Sequence, residues 1–167
     1  MALFRRILVP HDFSEHATRT LTVAAELARL HRGRLLVLHV IAPFHPATAL
    51  PGEAALWTTE TDLVRRELRA LQAVVARAVR GGNAPRVECK VVIGDPFHRI
   101  LAAARGVDSI VMATAGRTGL SHLLIGSVAE KVVRHSPVPV LTVSPAGRAS
   151  TRTRARATRT RGSRRRG

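Results

Sequence analysis

The stretch IVMATAGRTGLSHLLIGSVAEKVVRHSPVPVLTV, residues 110–143, contains two short apolar runs with a glycine-bearing loop and an amphipathic segment between them. Ser109 to Thr114 is an apolar-rich run bounded by turn residues, which predicts a buried strand. Val138 to Val143 predicts another, and Pro137 and Pro139, which have no N–H to donate, suit it to a sheet edge. From about Ser127 the apolar spacing turns helical, with Ser127 and Glu130 spaced as a capping box. A strand, a helix and a second strand in this order build a parallel crossover unit.

Upstream, the same alternation repeats. Ile7, Leu8 and Val9 form a short run ending at Pro10, a first buried strand. Ser14 is placed to cap a helix whose Ala17, Leu21, Ala24, Ala25 and Ala28 recur at helical spacing, and Gly33 stops it. Leu35 to Ile41 is the second strand. Ala42 to Thr58 follows, with Pro43, Pro46, Pro51 and Gly52, too proline-rich for regular structure and too long for a plain connector. A helix begins near Thr59, with Val64, Leu68, Leu71, Val75 and Ala78 as its stripe and Gly81, Gly82 and Asn83 at its end. Arg86 to Ile93 is the third strand. Asp95 then supplies a cap and Pro96 a first helical residue, with Phe97, Ile100, Leu101 and Ala104 turned inward and Gly106 closing the helix. Five strands separated by four helices predict an α/β fold, a parallel open sheet with helices on both faces.

Composition narrows the class. The chain has 167 residues, enough for one domain with a real core, and 46% of them are hydrophobic. Aromatics make up only 3%, so Ala, Val, Leu and Ile must build that core. The single cysteine, Cys89, excludes an internal disulfide and suits packing better than reactivity. No Cys/His cluster has zinc spacing, and His11, His16, His39, His98 and His135 read as surface or satisfied histidines. The N-terminal apolar run is too short for a secretory signal and no stretch approaches a membrane span, so the expected location is cytoplasmic. The net charge is +16, yet from Arg148 onward nine arginines occur with no acidic residue. That segment has no Val, Ile, Leu or aromatic residue and cannot bury enough surface to fold. Residues 1–146 are therefore expected to be the domain and residues 147–167 a disordered Arg-rich tail. Two readings of the tail stand: nonspecific contact with nucleic acid or another acidic surface, or a solvated extension. Without aromatic residues it has no base-stacking platform.

Ligands of open parallel sheets bind beyond the carboxyl ends of the strands, where the winding reverses. Two segments there are unlike plain connectors: Pro10 to Ser14, and Ala113 to Ser127. Gly116 and Gly119 let the backbone turn and approach a ligand, while Gly126 and Ser127 place unpaired N–H groups and a hydroxyl at a helix N-terminus, which favours an anion. The dinucleotide fingerprint G-x-G-x-x-G is absent after the first strand, as is the Walker A lysine loop. On these grounds alone the loop reads equally as an anion site or as a structural turn.

The segments ILVPHDFSE (7–15), LLVLHVI (35–41), GDPFHRIL (94–101) and residues 110–143 together resemble the universal stress protein (UspA-type) family, over nearly the whole chain up to Val143. The resemblance implies a Rossmann-like sheet of order 3-2-1-4-5 and, in the ATP-binding branch, a motif of Gly-x2-Gly-x9-Gly followed by Ser or Thr. Gly116, Gly126 and Ser127 match it; Ala113 replaces the first glycine, and Ala115 stands where a histidine or arginine is frequent. By the same likeness Asp12 would bond to ribose or adenine, backbone near Val40 would face the adenine, Gly116, Gly126, Ser127 and Val128 would surround the phosphates, and Pro10 is counted among the same cofactor-binding residues. Arg117 and His122 would add charge or a hydrogen bond there, and Gly119 belongs to the same loop. Asp12 reads alternatively as a local capping residue, and Trp57 stands open between a lid and a packing group. The implied function is a dimeric, ATP-binding regulatory module of the stress response, its ATP carried with Mg²⁺, pairing through Val138 to Val143. No residue presents itself as a general base near a γ-phosphate, so efficient catalysis is not expected. Slow ATP hydrolysis and a nucleotide-free dimeric scaffold are the alternatives.

Overall fold

Ile7, Leu8 and Val9 are 0% exposed, because their alternating side chains serve both faces of one sheet. They form the middle of β1 (Arg6–Pro10) in a computed structural model that describes residues 4–43, 59–114 and 126–144. After it come α1 (Glu15–Leu30), β2 (Arg34–Ile41), α2 (Glu60–Ala78), β3 (Arg86–Ile93), α3 (Pro96–Ala104), β4 (Ser109–Ala113), α4 (Ser127–His135) and β5 (Val140–Val143). The sheet order is β3-β2-β1-β4-β5, with parallel pairing throughout. This is the Rossmann-like α/β fold expected, with the expected strand order.

The two faces bury separate cores. Ile7, Val9, Leu35, Val37 and Val111 meet Leu21, Ala24, Ala25 and Ala28 of α1 and Leu71 and Val75 of α2. On the other face Leu8, Leu38, Ile110 and Met112 meet Ile100 and Ala104 of α3 and Ala129 and Val132 of α4. Cys89 is half-buried against the first core, and burial, followed by the neighbouring Glu88, holds its thiol above the usual range.

Side-chain caps fix three helix starts where sequence places them. Ser14 Oγ accepts the Ala17 N–H at 3.1 Å, Thr59 Oγ1 accepts that of Asp62 at 3.2 Å, and Asp95 Oδ1 accepts that of His98 at 3.0 Å. The His98 N–H bond is the main reason that the Asp95 carboxyl lies below its ordinary pKa. Ser14→Ala is expected to cost about 1 kcal/mol, because it orphans a first-turn amide at the end of α1 that abuts the cleft. Urea unfolding with an unchanged denaturant slope checks it, and no change in midpoint would mean that Ser14 is not a functioning cap.

Three expectations are corrected. Ser127 is not the N-cap of α4: that position is Gly126, which makes no side-chain cap bond, and Ser127 is the exposed first helical residue. Glu130 pairs with Arg134 at 3.0 Å instead of reaching back to close a capping box. Gly33 follows, rather than occupies, the left-handed position ending α1; Arg32 holds it at φ 50°. Gly33 serves close approach, since a Cβ there would stand 2.2 Å from the Phe4 carbonyl oxygen. Finally, β5 begins at Val140, not Val138, because Pro139 has no N–H and contributes only a carbonyl, which accepts the Ile110 N–H at 2.9 Å.

Candidate functional site

The chain leaves β1 toward β2 on one side and leaves β3 for β4 on the other, so the winding reverses between β1 and β4. At that point a cleft of about 190 Å³ opens beyond the strand ends. Six of the ten residues expected at the site line it: Pro10, Asp12, Val40, Ala113, Gly126 and Val128. A wider hollow of about 400 Å³ shares Asp12, Val40 and Pro96 and extends toward His39 and Glu67. Together the two are of the scale that holds a small ligand. Ser127 sits at the start of α4 without lining the cleft. Gly116, Arg117 and Gly119 lie outside the described residues, as do Trp57, His122 and the tail.

The loop that presents Asp12 is held from beneath. His11 is 3% exposed; its backbone N–H donates to the Leu38 carbonyl at 2.8 Å, and its own carbonyl accepts His39 Nδ1–H at 2.7 Å. His11 Nδ1 accepts the Phe13 N–H at 3.1 Å. Nε2 faces Thr18 Oγ1 at 3.3 Å, and that hydroxyl itself donates to the Ser14 carbonyl. The bonds therefore select the neutral Nε2–H tautomer. Burial pushes the imidazole down from 6.5 to about 4; the Asp12 carboxylate opposes this and His39 reinforces it. Phe13 takes a left-handed backbone at φ 65°, and its ring lies 4.6 Å from that of His39 and 5.6 Å edge-on from that of His11. Such a conformation is costly outside glycine and persists only where neighbours enforce it. Here the two histidines do so. Asp12 Oδ1 accepts the Ser14 N–H at 3.0 Å, which sets its carboxylate at the lip of the cleft.

On the opposite wall, Thr114 donates its N–H to the Val143 carbonyl at 3.1 Å, and Gly126 donates to the Thr114 carbonyl at 2.6 Å. The last bond corrects one expectation: the Gly126 N–H is already spent and is not an open anion donor. It joins the two ends of the loop between β4 and α4. Gly126 has φ −58°, so no left-handed conformation calls for glycine; a Cβ would instead come within 3.2 Å of the Thr114 oxygen. With no side-chain cap, the following first-turn amides of α4 are the ones available to an anion.

Leu38, Ile100, Met112 and Ala129 complete the wall and were legible in sequence only as core. His11 and His39 are satisfied, as expected, whereas His98 and His135 are exposed. His16 departs from the expectation, because its Nδ1 is buried with no hydrogen-bond partner among the described residues. No helix among the described residues is long and apolar enough to cross a membrane.

A parallel sheet of this order with a cleft at its switch point defines a class of Rossmann-like α/β domains. Within it the chain belongs to the universal stress protein family, whose model matches residues 3–144. It is 36% identical over 143 residues to a universal stress protein of Thermus aquaticus, a match covering 84% of this chain and 99% of that one. The solved structure of protein MJ0577, from Methanocaldococcus jannaschii, superposes with a TM-score of 0.70 at 28% identity, covering 87% of this chain and 99% of that one. The universal stress protein from Archaeoglobus fulgidus in complex with dAMP superposes with a TM-score of 0.55 at 25% identity, covering 84% and 98%.

Proposed function

We propose that the chain is an adenine-nucleotide-binding regulatory module, with ATP as its ligand and Mg²⁺ carried on the phosphates, rather than an efficient enzyme. The observation that carries this reading is the meeting of Asp12 and the side-chain-uncapped start of α4 at one apolar-walled cleft. Val40, Pro96 and Ile100 offer a wall for a flat base. The Asp12 carboxylate is suited to accept a hydrogen bond from ribose or adenine. The first-turn amides of Ser127 and Val128, with the Ser127 hydroxyl, suit the phosphates. Gly116, Arg117 and Gly119 would complete that side by family likeness. The dAMP complex of the Archaeoglobus fulgidus relative supports the class of ligand.

Among the described residues Asp12 is the one carboxylate lining the narrower cleft, and this reading assigns it to the base and ribose. That leaves no general base for a γ-phosphate among the described lining residues, hence binding without efficient turnover. Pairing of two copies through β5 fits the same reading, since β5 is an outer strand with Leu141 40% exposed.

Calorimetric titration with ATP, AMP and dAMP tests the proposal. Asp12→Ala is expected to weaken ATP binding about 10–100-fold, the worth of a hydrogen bond to a charged group. Absence of binding to the parent chain at millimolar ATP would sink the reading in favour of a nucleotide-free scaffold.

A further inference from the structure

We propose a second, separate binding site for an oligophosphate, at the opposite end of the sheet from the cleft. Arg6, Arg34 and Arg86 open three adjacent strands and are paired in register. Neighbouring strands lie about 4.8 Å apart, so the three form a short row of like charges on one side of the sheet. Like charges at directly paired positions oppose folding. Arg5 and Arg32 lie beside the row, and these five arginines with Asp108 and Gly33 line a cavity of about 640 Å³.

The single acid does not balance them. Among the described residues Asp108 is engaged by Arg6, accepting its backbone N–H at 2.8 Å, its Nε at 3.3 Å and its Nη2 at 3.0 Å. Arg5, Arg32, Arg34 and Arg86 have no carboxylate within ion-pair distance among the described residues. All four are exposed.

Arg32 supplies an independent indication. It holds the left-handed position after α1 at φ 50°, where glycine or asparagine is the unstrained choice. Its neighbour Gly33 is not placed there, being needed where Phe4 comes close. A local rule is thus broken in order to aim a fourth unpaired cation into a concave, already cationic surface, the kind of violation that accompanies a site.

Guanidinium forks match phosphate oxygens two at a time, and the cavity is lined by arginine and not by lysine. No aromatic residue among the described residues lines it, so none of them stacks on a base and recognition is of the phosphates. Several unpaired cations at strand spacing call for several anionic groups in succession. Consecutive phosphates meet that demand, whether from an inorganic polyphosphate or from the backbone of a nucleic acid.

The test uses the full chain, titrated separately with sodium tripolyphosphate, a twenty-nucleotide oligothymidylate and a polyglutamate peptide. Backbone amide resonances report the location. Tripolyphosphate, the oligonucleotide or both should shift Gly33, Arg34, Arg86 and Asp108, and the tighter of the two identifies the source of the phosphates. The variant Arg32→Gly/Arg34→Gln/Arg86→Gln should lose at least tenfold in that affinity and keep the amide spectrum of the Asp12 cleft. Arg32→Gly alone should weaken binding without lowering the melting temperature, which separates loss of ligand from loss of fold. The proposal is overturned by shifts confined to Ser127–Ala129 or to residues 148–166, by unchanged affinity in the triple variant, or by polyglutamate binding as tightly as the phosphates.

Discussion

Between pH 6.5 and pH 4 the protein is expected to lose about 3 kcal/mol of stability through one side chain, His11. Above pH 6.5 the imidazole is neutral in both the folded and the unfolded chain, and it contributes no pH dependence. Below that value the unfolded chain takes up a proton, whereas the folded chain resists until about pH 4. The unfolded state therefore binds more protons across this window, and stability falls as the pH falls, levelling once both states are charged. The resistance is visible in the bonds: a proton on Nδ1 would displace the Phe13 N–H it accepts, inside a site that is 3% exposed. Urea unfolding at a series of pH values should show His11→Gln losing about 3 kcal/mol less than the parent across this window. Carboxylates such as Asp95 titrate in both proteins and cancel in the comparison. Parallel pH profiles for the two would disprove the account of His11 as a buried neutral group.

The second large effect belongs to Leu21. It is 0% exposed on α1 and sits within the core formed with Ile7, Val9 and Val111. Its neighbours on that helix are mostly alanines, which cannot swing into a void. Leu21→Ala should therefore cost about 2–5 kcal/mol, toward the upper part of the range for a leucine truncated in a core that cannot collapse. For a domain of this size the melting temperature should drop by about 6–15 °C. A loss below about 1 kcal/mol would mean that α1 shifts inward and that this core is softer than its packing implies.

Much of this architecture was legible because its cause is local. Ile7 to Val9 and Ser109 to Thr114 announce strands buried on two faces, and Asp95 followed by Pro96 announces a helix start within a single residue. Asp12, Val40 and Val128 were assigned to one site by the family resemblance, and all three line the cleft. What was hidden depends on pairings between distant segments. The helix after the loop starts at Ser127 as read, but its cap is Gly126, and the Gly126–Thr114 bond consumes the amide that the glycine seemed to offer. The His11–Phe13–His39 support needs β2 beside β1, which no single window of sequence reveals. The arginine row likewise exists only through strand register: Arg6, Arg34 and Arg86 are unremarkable basic residues until the sheet aligns them.

The strand order also bears on how the chain assembles as it is made. With the order β3-β2-β1-β4-β5, every new strand is added at an open edge and none has to be inserted between two that have already paired. The first three strands form one contiguous half-sheet, with α1 and α2 supplying most of the core on one of its faces. During synthesis that half can close before β4 emerges. The crevice beside Asp12 is created only when β4 docks on the other side of β1, so a ligand that needs both walls recognises a finished molecule and not a nascent one.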